Sequence, residues 1–418
     1  MRLHSTCIGG LLSASLASSA TAQTALTWTD VLVRYKANNP TLRAGEIGVE
    51  ESRAGETTAK LRPNPDLSLS VDGVGLDTPA GTGHFDSVTT VASVDYLIEL
   101  RHKRQLRLAS AQGATAIAVS TQADLERNQR LLLRTAFVQL LQAKAFLELA
   151  RSELSDYDQV IAVGRERLET GDIARIDLDR LELQRVQYES DVQTASVNVR
   201  TAKIQLLQLM NDKTPVDGLD ITGRYDFAPL GRPLEELRAT ALDTRPDLKA
   251  AMRALEKAQT DYKLAVANAS TDPVLGLDVG RTRSPGNPTY LGVSVSIPLR
   301  VFDRNQGEKL RTRLDIERSE RLAEAVRVQV TSDVATAYAT VQSAVALLQP
   351  YRERYLESAT RVRDTLRFSY ERGGAALVDF LQAQQDYRTV RITYVNLIAA
   401  YLTAVAQLNF AMGSEVVS

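Results

Sequence analysis

Enzyme chemistry calls for a nucleophile, a metal ligand or a titratable pair, and this sequence is poor in the first two. The single cysteine is Cys7, and the three histidines, His4, His84 and His102, lie in separate segments. Thiol catalysis and histidine-cluster metal centres are therefore nearly excluded. Lone exposed histidines such as His84 and His102 are seldom ligands or catalysts. Beyond Met1 the only methionines are Met210, Met252 and Met412, so no soft-metal site and no cofactor is expected. Acids are plentiful, 51 Asp plus Glu against 50 Lys plus Arg, but no carboxylate pair stands at catalytic spacing. Two acids fall where helices are predicted to begin, Asp177 and Asp379. A helix N-terminal dipole stabilises a carboxylate in either place. Tyr370 falls in the last turn of another predicted helix, where packing accounts for it. Gly171, Gly373 and Gly374 stand at chain reversals, a role for backbone geometry alone.

These residues must be positioned by long elements, because only 23 glycines and 13 prolines punctuate 418 residues. The formal net charge of −1 lacks the basic excess of a nucleic-acid binder. Arg2, the apolar-leaning Ile8 to Ala17 and the Ala20-Thr21-Ala22 site read as a signal peptide over residues 1–22, so the mature chain starts near Gln23 and contains no cysteine. No later stretch of 18 apolar residues occurs; the nearest, Ile392 to Met412, is interrupted by Thr393, Asn396, Gln407 and Asn409.

The chain then repeats one plan twice. Asn39-Pro40-Thr41-Leu42 answers to Arg245-Pro246-Asp247-Leu248, each opening a helix with proline at its entrance. Alternating strands follow, Pro65 to Val71 with Val88 to Tyr96, and Pro273 to Val279 with Tyr290 to Ile297, as β-hairpins over 66–97 and 273–298. Their tips are Leu76 to Asp86 and Ser284 to Thr289. Each hairpin leads into a helical stretch of 68 residues, Lys103 to Thr170 and Asn305 to Arg372, roughly 100 Å at 1.5 Å per residue. Pro350 predicts a kink inside the second stretch. Return helices complete helical hairpins over 103–210 and 305–412. The organisation is thus a first repeat over 23–210, a Pro/Gly-rich connector over 211–235 and a second repeat over 236–418.

Heptads run through the return helices. Leu181, Tyr188, Ala195, Ala202 and Leu209 have companions Leu178, Arg185, Val192, Val199 and Leu206; moved by 202 residues, the same phase gives Ala383, Val390, Leu397, Ala404 and Ala411. A further row, Ile176, Leu183, Ser190, Val197 and Ile204, has the counterpart Val378, Gln385, Ile392, Ala399 and Ala406. It lies on another face of the helix, so each helix can touch two neighbours, as in a tube wall. A coiled-coil bundle with a buried centre would also show heptads. The strands argue against it: four are too few to close a barrel, and strands of about nine residues suit a tilted bilayer crossing shared between chains.

This order of elements, with Leu26-Thr27-Trp28, Asn39-Pro40-Thr41-Leu42 and the tip from Tyr370 to Gln384, resembles the outer-membrane efflux protein family typified by TolC. Leu61-Arg62-Pro63-Asn64-Pro65 and Glu99 to Arg104 look most like its heavy-metal, cobalt-zinc-cadmium branch. The resemblance implies a mainly α fold with a small β part. Its four strands per protomer would make 12 in a trimeric outer-membrane barrel, continued by a long periplasmic α-helical barrel with belt helices around it. It implies a passive outer-membrane duct reaching into the periplasm, not an enzyme. The partners would be a homotrimer, a periplasmic adaptor (membrane fusion) protein docking near Leu168 and Leu366, an inner-membrane RND-type pump and outer-membrane lipid. It further implies a periplasmic gate at Asp379, Asp177 and Tyr370. Ala375 and Gln382 depart from the best-known member's arginine and second aspartate, which leaves Arg175 or Arg372 as closing groups. The competing readings are a coiled-coil adaptor or structural protein of an export complex, and a duct for drugs or secreted protein rather than metals.

Overall fold

The computed structural model describes residues 25–74, 83, 88–283 and 286–415. The expected signal peptide, His84 and most of the first β-hairpin tip lie outside them.

Each repeat opens with a short and a longer helix. Helix α1 (Trp28–Asn38) starts in a reciprocal capping box between Thr27 and Asp30. Helix α2 (Pro40–Lys60) starts with proline in its first turn, and the Asn39 side chain accepts from the Thr41 and Leu42 amides. Their counterparts are α5 (Leu234–Thr244) and α6 (Pro246–Asn268). Here Arg245 replaces the capping asparagine, and the repeat survives at the level of single bonds. Asn39 Nδ2 donates to the Leu209 carbonyl at 2.9 Å, and Arg245 donates to the Ala411 carbonyl, 202 residues on, at 3.2 Å. Between the repeats the connector is packed rather than loose, with Leu219, Ile221 and Phe227 buried and Leu26 bridging Ile221.

Strands β1 (Asp66–Asp72), β2 (Thr89–Leu97), β3 (Val274–Thr282) and β4 (Thr289–Ser296) form one antiparallel sheet in chain order. The two hairpins are therefore joined through β2 and β3, and β1 and β4 are left as edges. Register puts Leu67, Val94, Leu277 and Val293 in one row and Leu69, Ala92, Val279 and Leu291 in the next, all on one face. That face is open: Leu69 is 74% and Val293 78% exposed. The opposite face carries Ser68, Ser93, Asp278 and Gly292 in one row and Asp66, Asp95, Gly276 and Ser294 in the next. A sheet apolar on one side and polar on the other, with no core beneath either among the described residues, is built to separate lipid from water.

Helices α3 (Lys103–Glu169) and α4 (Arg175–Met210) make the first helical hairpin. The second consists of α7 (Gln306–Pro350), α8 (Leu356–Glu371) and α9 (Leu377–Met412). Pro350 does not end the rod. It lacks the amide that an α-helix needs there, and one π-helical turn over Tyr351–Tyr355 takes up the mismatch, with the Leu356 amide donating to the Tyr351 carbonyl five residues back. Helix α9 is long and apolar enough to cross a membrane by composition, yet half of that stretch is buried in the chain's own core.

The helices lie side by side in strips. Near the sheet the order is α2, α3, α6, α7; further away it is α4, α3, α9 and then α7 with α8. Three clusters of apolar side chains hold the strips: one at the second belt centred on Val334, Val341 and Leu408, one at the first on Leu133, Leu140 and Leu206, and one near the tips on Tyr157, Leu181 and Phe380.

Candidate functional site: the helical hairpin tips

Both tips are built by the same local device. The α3 rod ends with the Gly171 amide donating to Leu168 and the Asp172 amide to Arg167; the α8 rod ends with Gly373 to Tyr370 and Gly374 to Ser369. This paired return requires a left-handed residue. Gly171 and Gly373 supply it with φ of 80° and 76°. Gly374, expected to share that conformation, does not have a positive φ, and a methyl group there would make only ordinary contacts.

Asp177 and Asp379 sit in the first turns of α4 and α9, where the helix dipole favours their charge. Asp379 is exposed and makes no ion pair among the described residues. Asp177 is half-buried, with Arg180 at 3.9 Å. Tyr370 is only 2% exposed and stacks on Phe380 at 5.4 Å between ring centres. Its hydroxyl is buried without a hydrogen-bond partner. Burial pushes its ionisation above the ordinary tyrosine range; Arg167 opposes that shift and Asp177 adds to it. Asp177 therefore lies within electrostatic reach of Tyr370 without bonding to it.

Neither expected closing arginine reaches these groups. Arg175 pairs with Asp179 at 3.0 Å, and Arg372 lies over the Phe368 ring at 3.8 Å. The arginine that does contact Tyr370 is Arg167: it donates to the Tyr370 carbonyl at 2.5 Å and lies 5.1 Å from its ring. Arg367 adds a bond to Gln159 at 3.1 Å and Arg363 pairs with Asp156 at 3.8 Å, so three side chains tie the hairpins above the tips.

A second tie lies further along the seam. Glu153 of α3 is 4% exposed, with Arg388 of α9 at 3.4 Å; Arg388 also pairs with Asp191 of α4. Below them Tyr157 stacks on Tyr188 at 4.6 Å. Sequence reading missed this cluster, although a signal was present: Arg388 interrupts the apolar row Leu381, Val395, Leu402 in α9.

A chain that offers one-sided sheet edges, rods of some 100 Å and hairpins tied at their far ends is a wall segment of a membrane duct. Comparison with known proteins agrees. The outer membrane efflux protein family model matches residues 31–212 and 237–414, and the chain belongs to that family. It is 23% identical to the cobalt-zinc-cadmium resistance protein CzcC of Cupriavidus metallidurans over 90% of this chain and 87% of the relative. It is 21% identical to the outer membrane efflux protein BepC of Brucella suis, over 90% and 83%. The solved channel CusC superposes with a TM-score of 0.74 at 19% identity, covering 92% of each chain. The protein is thus a TolC-type channel of the outer membrane that extends into the periplasm, a passive duct and not an enzyme.

Proposed function

We propose that this chain is the exit duct of a tripartite efflux system, assembled as a homotrimer and joined through a periplasmic adaptor to an inner-membrane RND-type pump. One observation carries the reading. In α9, Ala399 and Ala406 are buried where the helix runs beside α3, whereas their counterparts in α4, Val197 and Ile204, are 62% and 48% exposed. The repeat gives α9 a neighbour within the chain; α4 needs one from another copy, and the exposed Leu347 and Val362 on the α7–α8 edge match it. Two copies would make an eight-stranded barrel that side chains fill, so three is the smallest number that leaves a water path.

Heavy-metal cations are the proposed cargo, supported by similarity to CzcC and by the acids of the sheet's polar face. Asp379, Asp177 and Tyr370 are the proposed gate, with Arg167 holding Tyr370 closed. Purified protein from the outer-membrane fraction should run as a detergent-stable trimer; a soluble periplasmic monomer would reject the assembly. A deletion strain should become sensitive to cobalt, zinc or cadmium before it becomes sensitive to drugs, and the reverse order would assign a drug duct. In planar bilayers Asp379→Asn should lower cation preference, and unchanged selectivity would remove Asp379 from the gate.

A further inference from the structure

Away from the tips, a cavity of about 640 Å³ opens at the belt between α1, α3, the connector and the end of α9. Its volume is that of a small-molecule site. Arg127, Arg130 and Arg134 enter it from successive turns of α3, and Trp28, Phe137 and Phe410 supply aromatic walls.

The charges of its lining do not balance locally. Arg127 is satisfied by Asp124 at 2.6 Å, Asp247 at 3.5 Å and the Phe410 carbonyl at 2.9 Å. Glu126 is taken by Lys36, and Asp226 by Arg224 at 3.3 Å. Arg130 has no ion pair among the described residues, and its Nε is buried without a hydrogen-bond partner. Arg134 rests on the Trp28 ring at 4.6 Å and the Phe137 ring at 5.7 Å, again with no ion pair among the described residues. Burial pushes its guanidinium below the ordinary arginine range, and the Glu415 charge opposes that shift. Glu415 itself accepts from Trp28 Nε1 at 3.3 Å. Two guanidinium groups one turn apart, partly desolvated and short of carboxylates, carry the donor chemistry that anions select.

We propose that this cavity binds a small organic carboxylate with an apolar body, its carboxylate held by Arg130 and Arg134 and its body against Leu131, Phe137 and Leu402. Three features select that class. The guanidinium forks match a planar carboxylate. The carboxylates of Glu126, Asp226 and Glu415 in the same lining disfavour a dense dianion such as free phosphate. Arg130 lies roughly 40 Å along α3 from the sheet at 1.5 Å per residue, beyond reach of a lipid headgroup, so the ligand comes from solution. Occupancy would tie α1, α3 and α9 together at the belt.

Full-length protein in detergent is titrated with phenylacetate, and with phenylacetamide as its uncharged counterpart. Trp28 is the chain's single tryptophan and lines the cavity, so its emission reports binding. Equilibrium dialysis of labelled phenylacetate on the same samples covers the case of an unresponsive tryptophan. Saturable phenylacetate binding is expected, with the amide about tenfold weaker, the loss of one charge-assisted hydrogen bond. Arg130→Gln, which leaves the Trp28–Arg134 stack in place, should weaken phenylacetate by about tenfold at an unchanged thermal melt. No saturable binding by either method, equal affinity for the amide, or an Arg130→Gln variant that binds as well as the parent overturns the proposal.

Discussion

Glu153 sits where three helices meet, and burial pushes its carboxyl up to about 7; Arg388 and Arg391 pull it down, while Asp191 and Asp156 push it further up. Unfolded, the same group titrates near its ordinary value of 4.5. Between those two values the folded chain holds a proton that the unfolded chain has released, so stability falls as pH rises through the interval and levels off above it. Glu153→Gln keeps the shape and removes the titration. Denaturant melts should match the parent below pH 4.5 and show the variant more stable by up to about 3 kcal/mol above pH 7. A variant less stable than the parent at the higher pH would mean that the Arg388 contact outweighs burial. Arg245 has the opposite logic. Only 3% exposed, it bridges Asp247 at 2.5 Å and Asp333 at 2.8 Å and also bonds the Ala411 carbonyl. Removing one member of such a buried set leaves charges uncompensated, so Arg245→Ala should cost about 3–5 kcal/mol in the same melts.

At the scale of elements, the sheet's two faces make a paired prediction on adjacent residues of β4. Val293 is on the apolar face and Ser294 on the polar one. Val293→Lys should lose about 2–4 kcal/mol if its position is near the bilayer middle, and the yield of assembled protein in the outer-membrane fraction should fall; Ser294→Lys should assemble as the parent does. Equal yields would deny that the faces meet different solvents. The strands themselves were readable because period-two alternation survives in Leu67-Ser68-Leu69-Ser70-Val71 and in Leu291 to Ile297, and their ends fall within a few residues of the expectation. The pairing of β2 with β3 was not, since nothing local to Thr89–Leu97 names a partner some 180 residues away. The rods were readable from the absence of breakers, and Pro350 announced an irregularity without revealing that a π turn would absorb it. The tips divide the same way. Gly171 and Gly373 follow from the need to reverse a helix, but Arg167 as the group on Tyr370 depends on two hairpins meeting, which neither hairpin's sequence encodes alone.

For the whole molecule the recurrent fact is a strip with two free edges: β1 and β4 in the sheet, α2 and α7 next to it, α4 and α7 with α8 toward the tips. Edges at every level along one long axis are what a segment of a closed wall must have, and a tube removes them all at once. The internal repeat converts this into an experiment on equivalent residues. Val197 on α4 and Ala399 on α9 are 202 positions apart, the first exposed and the second buried. Glutamate places an unpaired charge in the packed seam at Ala399 and, in the proposed assembly, in an interface at Val197; burying such a charge costs several kcal/mol. At Ala399 that seam lies within the chain, so Ala399→Glu should lower the thermal melt of the protomer itself. Val197 is 62% exposed on the single chain and the proposed trimer places it between copies, while the inward seam of Leu181, Tyr188 and Ala195 is untouched. Val197→Glu should therefore give folded monomers in native mass measurements with helical circular dichroism retained, and Val197→Leu should remain trimeric. If Val197→Glu stayed assembled, or unfolded as Ala399→Glu does, the free edge of α4 would not be the surface on which the wall closes.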